Sequence, residues 1–257
     1  MNMLEIILSA ENLSNVFKVQ EKENAVLDHV NVELYKNDFT VIMGPSGTGK
    51  STLLYALSGM DTISGGSIKV LGKTKELHRM SEKEMAAIRS GQFGFVFQQV
   101  NLVSNLTIEE NILVAGYNKK GKKASDIKAR ADSLLQQLSI EKIRDQLPGQ
   151  VSGGEAQRAA IARALINEPD ILFADEPTGS LNRANTMNIL DIFNAIHANG
   201  QSILMVTHDM KAAIRGSRIL YLSDGKITGE LKLPNYRKQE EPSREEQVSK
   251  WLKGLEW

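Results

Sequence analysis

The stretch that decides the fold is Gly44-Pro45-Ser46-Gly47-Thr48-Gly49-Lys50-Ser51. It has the G-x-x-x-x-G-K-[ST] spacing of a phosphate-binding loop, between a strand-like run at 39–43 and a helix-like run from Thr52. Glycines let successive N–H groups point at one anion, and the following helix adds its positive dipole end. A chance glycine-rich turn is the alternative. The stretch predicts a nucleoside triphosphate site contacted by residues 44–52, with Lys50 on the β and γ phosphates and the Ser51 hydroxyl on Mg²⁺.

Composition limits the partners. The 257 residues include 31 basic and 31 acidic ones, and this balance argues against a broad nucleic-acid surface. There are no cysteines, which excludes disulfides and thiolate metal sites. No apolar run approaches the ~20 residues of a membrane span, and residues 1–10 lack the basic start of a signal peptide. We expect a soluble protein. Its basic loop, 119–123, is predicted to be solvated, with lipid headgroups or a partner as the alternative contact.

Strand-like runs separated by helices predict a doubly wound α/β fold. Four apolar runs are typical of buried parallel strands: 39–43, 171–175, 202–207 and 218–222. Three segments predict an antiparallel subdomain ahead of the phosphate loop: 4–9, 16–20 and 30–35. Helical periodicity then predicts an α-helical insertion at about 99–160, and one face of a helix starting near Ser125 is formed by Ile127, Ala131, Leu134, Leu135 and Leu138.

The tail has its own pattern. We expect residues 1–235 to form one nucleotide-binding domain and residues 236–257 to form a charged linker followed by an amphipathic helix. One stripe of that helix consists of Val248, Trp251, Leu252 and Leu255. The stripe is predicted to dock on the chain's own core, with a partner protein as the alternative.

A second predicted helix opens with Val151-Ser152-Gly153-Gly154-Glu155. Ser152 and Glu155 have the spacing of a capping box. Two glycines in a first helical turn cost about 1 kcal/mol each relative to alanine. That arrangement is understandable if a large anion must approach the bare N–H groups closely, although a glycine-rich cap without a ligand is the alternative.

Two adjacent carboxylates follow the apolar run at 171–175. A carboxylate at the end of such a strand is costly unless it faces a cation, so Asp175 is assigned to the Mg²⁺ shell. Glu176 is the candidate for polarising the attacking water. Ordinary strand-end acids are the alternative.

The phosphate loop, residues 151–155 and Asp175-Glu176-Pro177-Thr178 stand in the order found in ATP-binding subunits of ABC transporters, and residues 4–234 resemble that family. The resemblance implies an α/β, RecA-like P-loop NTPase sheet with an N-terminal antiparallel β subdomain and an inserted α-helical subdomain. It implies ATP and Mg²⁺ as cofactors. It also implies a head-to-tail homodimer with two ATP molecules between the copies. The residues expected to reach the γ-phosphate across that interface are Ser152, Gly153 and Gly154.

Three further roles are implied by the resemblance alone. Gln98 matches the loop glutamine that touches Mg²⁺ and senses the partner, and His208 matches the histidine that contacts the γ-phosphate. Phe17 lies where an aromatic side chain usually stacks on adenine. Without the family pattern, these would be a structural glutamine, a strand-end histidine and a core phenylalanine.

The sequence departs from the family pattern at two informative positions. Gly179-Ser180-Leu181-Asn182 ends in Asn where Asp is usual, which keeps the hydrogen-bonding shape and loses the charge. Glu155 replaces the usual Gln. We expect communication between the two ATP sites to be tuned differently, with ATPase activity retained.

Residues 77–97 resemble a branch that includes lipoprotein-release, macrolide-export and antimicrobial-peptide-resistance systems, and residues 245–257 resemble the bacitracin-type resistance group. The implied protein is a cytoplasmic ATPase on the inner face of the cell membrane that contacts the membrane through a separate permease. Gln98 and the helical insertion are expected to dock on that permease. The alternatives are a lipoprotein-release or a cell-division-type regulatory ATPase. Chromosome-maintenance and translation ATPases fit less well, because the chain has no long coiled coil and no second ATPase unit.

Overall fold

The computed structural model describes residues 5–19, 22–73, 75–119 and 121–255, with the side chains of 17–19 and 22–24 outside the described part. The strands are β1 (Ile6–Val19), β2 (Lys22–Tyr35), β3 (Phe39–Met43), β4 (Gly65–Val70), β5 (Phe93–Val96), β6 (Ile171–Asp175), β7 (Ser202–Val206), β8 (Arg218–Ser223) and β9 (Lys226–Lys232). The helices are α1 (Lys50–Leu57), α2 (Glu82–Gly91), α3 (Ile108–Tyr117), α4 (Ala124–Gln137), α5 (Gly153–Leu165), α6 (Arg183–Ala198), α7 (Met210–Ala213) and α8 (Glu241–Lys253). The chain forms two compact units. The first unit is Met1–Met85 with Gly200–Trp257, and the second unit is Ala86–Asn199.

An antiparallel sheet of the order β2-β1-β4 lies in the first unit. Leu8 of β1 pairs with Leu34 of β2 on one side and with Val70 of β4 on the other, and all three side chains are buried. Their alternation with exposed residues gives the sheet one apolar face. The predicted antiparallel segments lie in β1 and β2, apart from residue 5, which precedes β1, and residues 4 and 20, which lie outside the described residues. The sequence analysis missed β4.

Strand β3 lies between two parallel neighbours in the first unit, β7 and β8, and β9 pairs antiparallel with β8. Every residue of β3 and β7 is buried, as expected for a parallel strand covered on both faces. Ile42 is in register with Val206 of β7 and with Leu220 of β8. The carboxyl ends of these strands therefore meet at one edge of the sheet, the edge where α/β proteins bind ligands.

Helix α8 packs on the first unit. Val248 and Leu252 are fully buried, and the Trp251 ring meets the Tyr221 ring of β8 edge-on at 6.4 Å between centroids. The predicted stripe therefore docks on the chain's own core. The helix begins at Glu241, so much of the stretch predicted as a charged linker is helical.

Strands β5 and β6 of the second unit pair in parallel. Along the chain, helices α3, α4 and α5 lie between these strands, and α6 follows β6. Helix α4 runs from Ala124 to Gln137, and the five side chains predicted to form its apolar face are all buried. The ammonium of Lys119 in the basic loop donates to the carbonyls of Gly91 and Asn167, at 3.2 and 2.7 Å, and Lys122 pairs with Glu168. Two lysines predicted to be solvated are thus bound within the unit. Over the described ranges, no helix combines the length and the apolarity that a bilayer crossing needs.

Candidate active site

The phosphate loop connects β3 to α1 in the first unit. Gly49 is the N-cap of α1 at φ 95°, and a Cβ there would lie 2.8 Å from the carbonyl oxygen of Val26, so a larger residue would be both strained and too close. Gly47 has φ 82°, and a Cβ there would meet nothing within 4 Å. The loop is therefore closed on one side by the protein and open at Gly47. The first turn of α1 has no acidic residue, so its N–H groups and its dipole favour an anion.

Lys50 begins helix α1 and lies inside the loop rather than in solvent. Its side chain is buried, and its ammonium donates to the carbonyls of Gly44 and Pro45 at 2.9 and 2.8 Å. These bonds hold the charge at the start of the loop, where a phosphate could replace a carbonyl as acceptor. Ser51 and Thr52 follow on the same turn and are half-buried.

His208 follows β7 at the same sheet edge. The N–H of Thr207 donates to the carbonyl of Ile42 at 3.1 Å, so the chain reaches His208 beside the end of β3, where the phosphate loop starts. The side chain of His208 is exposed. Asp209 then caps α7 by accepting from the N–H of Lys211 at 2.9 Å. The first unit thus brings His208 and the phosphate loop together.

Asp175 is the last residue of β6 in the second unit, and Glu176 follows it. Asp175 is buried at 7% exposure, behind four fully apolar residues of the strand. Glu176 has φ 42°, a conformation that is strained for a residue with a Cβ, and its carbonyl accepts from the N–H of Gly179 at 3.0 Å.

The signature segment, residues 151–155, forms the predicted capping box at the start of α5. The hydroxyl of Ser152 accepts from the N–H of Glu155, and the Glu155 carboxylate accepts from the N–H and hydroxyl of Ser152 at 2.8 and 2.6 Å. These bonds lower the pKa of Glu155, so the carboxylate at this position serves the helix cap. Ser152 and Gly153 are exposed, whereas Gly154 is buried, and a Cβ there would lie 2.7 Å from the side chain of Asn185.

The unusual Asn182 is the N-cap of α6. Its amide oxygen accepts from the N–H of Asn185 at 3.0 Å, as an Asp carboxylate in that place would. The hydrogen-bonding shape expected of the amide is therefore present. The negative charge that Asp would add at the start of α6 is absent.

Gln98 is exposed, and its side chain lies against Gly179, where a Cβ would be 2.9 Å from Nε2 of Gln98. The second unit thus brings Gln98 to the turn that begins at Glu176. The side chain of Phe17 lies outside the described residues, and the backbone of Phe17 pairs with Asn24 in β1 and β2.

The sequence analysis missed Gln157. This side chain is 1% exposed, and its Nε2 donates to the carbonyls of Phe97 and Pro177 at 3.3 and 2.9 Å. Phe97 precedes Gln98, and Pro177 follows Glu176, so one amide ties both catalytic candidates to the signature helix. The available signal was a lone amide among the alanines of α5.

No group of three or more His, Cys, Asp or Glu side chains that could hold a metal by itself occurs in the part of the chain that the structure describes. A nucleotide-bound Mg²⁺ needs only one or two protein carboxylates or hydroxyls plus phosphate oxygens. The Ser51 hydroxyl in the first unit, and the Gln98 amide and Asp175 carboxylate in the second, are each donors of the kind that such an ion takes. The phosphate loop after a buried parallel strand, with an anion-favouring helix start behind it, defines a P-loop nucleoside triphosphatase.

A family model described as "ABC transporter" matches residues 27–179, which is more than half of the chain. The chain belongs to the ABC transporter family. This confirms the predicted family and its ATPase class.

Curated relatives agree with this assignment. The lipoprotein-releasing system ATP-binding protein LolD of Aquifex aeolicus is 43% identical over 225 residues, which cover 88% of this chain and 97% of the relative. The bacitracin export ATP-binding protein BceA of Halalkalibacterium halodurans is 40% identical, covering 88% of each chain. The macrolide export ATP-binding/permease protein MacB of Neisseria meningitidis serogroup B is also 40% identical, but the chain spans only 34% of its length.

Solved structures agree on the fold. A dimeric structure of the ATP-binding cassette MJ0796, described as a post-hydrolysis state bound to ADP and Pi, has a TM-score of 0.81 and 33% identity. The match covers 90% of this chain and all of that one. The predicted α/β P-loop fold class is confirmed.

Proposed function

We propose that this chain is the ATP-hydrolysing subunit of an ABC transporter and that closure of its dimer on ATP drives a separate membrane permease. The observation that carries this is the combination of an anion-favouring phosphate loop with a second, glycine-built helix start at Ser152. An ordinary P-loop ATPase needs only the first. The dimeric ADP- and Pi-bound cassette supports a second copy of the chain as the partner, with ATP and Mg²⁺ as cofactors.

The proposed division of labour follows from the chemistry of phosphoryl transfer, which needs charge neutralisation and a positioned water. Residues 44–52, through the backbone N–H groups of all of them except Pro45, and the Lys50 ammonium hold the phosphates. Mg²⁺ is held by Ser51, Gln98 and Asp175. Glu176 polarises the attacking water and His208 contacts the γ-phosphate. Ser152, Gly153 and Gly154 of the second copy complete the site, and Phe17 stacks on adenine.

We further propose one ATP-binding domain over residues 1–235, with the helical subdomain at about 99–160, followed by residues 236–257 as an accessory tail. The permease is proposed as a separate protein, because the LolD and BceA relatives are named as ATP-binding proteins and the match covers 97% and 88% of their length. The protein then works at the inner face of the cell membrane. Exposed apolar side chains of the second unit, Val103, Val114 and Tyr117, supply a surface for the permease.

Antimicrobial-peptide resistance is the proposed process, supported by the BceA relative and by the tail that resembles that group. Lipoprotein release is the second candidate, since the LolD relative is similar over nearly its full length. Affinity purification from native membranes separates the two by the permease that is recovered. Recovery of chromosomal or ribosomal proteins without a membrane protein would overturn the transporter assignment.

Glu176→Gln tests the chemistry. We expect ATP hydrolysis to fall by about 10²-fold or more while ATP binding is retained, because general-base assistance is lost and the fold is kept. The matched control is Glu141→Gln, the same change at an exposed position. Equal hydrolysis rates for Glu176→Gln and the wild-type protein would rule out the role given to Glu176.

A further inference from the structure

One buried side chain joins helix α8 to the segment that follows His208. Arg244 is 3% exposed, although it lies in a stretch dense with charges. Its guanidinium donates from Nε, Nη1 and Nη2 to the carbonyls of Ile214, Pro234 and Gly216, at 2.8, 2.7 and 2.5 Å. A buried guanidinium is costly unless its donors are satisfied, so this geometry is strongly determined.

Two of the three acceptors belong to the connection between α7 and β8. Ile214 is the C-cap residue of α7, and its carbonyl is one of those that a helix end leaves without an intrahelical donor. Gly216 packs against β3, where a Cβ would lie 2.7 Å from Val41 and 2.9 Å from the carbonyl of Phe39. Arg244 therefore holds a segment that itself rests on the strand leading into the phosphate loop.

The start of α8 is held by a second set of contacts. Arg215 lies over the Tyr236 ring with its Cζ 4.2 Å from the ring centroid, and Arg244 lies 5.6 Å from the same centroid. The Tyr236 hydroxyl donates to the Glu241 carboxylate. These contacts order the first turn of α8 around Arg244.

His208 is close to this anchor along the chain. The connection from His208 to Ile214 is Asp209 and the four-residue helix α7, which Asp209 caps at one end and Arg244 contacts at the other. A helix this short has little stability of its own, so its position depends on both ends.

We propose that Arg244 is a positioning residue for His208: helix α8 fixes α7 and thereby sets where His208 stands beside the phosphate loop. The family model ends at residue 179, so this device lies outside the matched range. The inference rests on the proposed contact of His208 with the γ-phosphate.

Arg244→Met tests the inference, with Lys250→Met as the control that removes an exposed cation from the same helix. In Arg244→Met we expect kcat for ATP hydrolysis to fall about tenfold with KM changed less than twofold, and amide exchange at 209–216 to become faster. Lys250→Met should match the wild-type protein in all three. Arg244→Lys keeps the charge without the planar fork and is expected to lose about threefold in kcat.

A double-mutant cycle with His208→Ala separates this inference from the proposed function. We expect Arg244→Met to lower kcat no further once His208 is removed. If Arg244→Met lowers kcat in the His208→Ala background as much as it does in the wild-type protein, the positioning role is wrong. A wild-type kcat in Arg244→Met or Arg244→Lys, together with faster amide exchange at 209–216, would also overturn it. Wild-type hydrolysis by His208→Ala alone would instead refute the role of His208. If Arg244→Met does not fold, Arg244→Lys carries the same cycle.

Discussion

Replacing Gln157 by Leu removes a side chain that joins helix α5 to the carbonyls of Phe97 and Pro177, next to Gln98 and Glu176. Leu has a similar volume, so the change creates little cavity, and its cost comes from the two carbonyls left without a donor. The Pro177 carbonyl loses a 2.9 Å bond and the Phe97 carbonyl loses a longer one of 3.3 Å. A buried acceptor without a partner costs about 1–3 kcal/mol, with the longer bond at the low end. We expect the free energy of unfolding to fall by about 2–4 kcal/mol.

Urea unfolding followed by circular dichroism measures this change, provided that the m-value is unchanged. The control is Gln136→Leu, the same substitution at an exposed position of α4, with an expected change within about 0.5 kcal/mol. We also expect slower ATP hydrolysis by Gln157→Leu, since Gln98 and Glu176 adjoin the two released carbonyls. A destabilisation no larger than that of the control would refute the reasoning, because the buried carbonyls would then have found other donors.

Three further results follow from the same structure. Gly154→Ala should change the stability in thermal melts by less than about 1 kcal/mol, because a Cβ there meets only the movable amide end of Asn185 and alanine is favoured over glycine by about 1 kcal/mol inside a helix; a loss above about 2 kcal/mol would show that Asn185 cannot move aside. Burial raises the pKa of Glu109, but hydrogen bonds from Lys128 and Arg144 outweigh that effect, and the pKa is lowered. The stability that Glu109→Gln loses should therefore be full above pH 4.5 and should vanish as the pH falls through the lowered pKa, which acid melts measure. A pH-independent difference would contradict the pairing. Hydrogen bonds from Lys75 and Ser81 hold the pKa of Glu84 to about 2, and an NMR titration of Lys75→Ala should show a higher value, with an unchanged value as the contrary outcome.

The features that could be predicted from the sequence are those written in contiguous residues. The phosphate loop and the capping box of Ser152 and Glu155 depend on local spacing and on backbone N–H groups that the same stretch supplies. The apolar face of α4 could be predicted because 3.6-residue periodicity reports burial directly. Each of these features can be predicted because the residues that form it are close together in the sequence.

The missed features depend on partners that are distant in the sequence. Strand β4 is held by pairing with β1, and hydropathy does not report that pairing. Gln157 and Arg244 are polar side chains that are buried because carbonyls far along the chain accept their protons. A hydropathy pattern predicts that such residues are exposed to solvent. For that reason the sequence analysis predicted a charged linker where α8 begins.

Within the second unit, helix α5 behaves as one rigid connection between the signature and the loops that carry the catalytic candidates. Arg163 of α5 donates to the carbonyls of Asn101 and Val100 at 2.6 and 3.1 Å, on the chain that leaves Gln98, while Gln157 holds the residues next to Gln98 and Glu176. Helix α5 has 13 residues, and its backbone hydrogen bonds are internal, so these contacts are all made from one regular element. In the proposed function, contact of a second copy's ATP with Ser152 would act on the same helix that holds the residues next to Gln98 and Glu176.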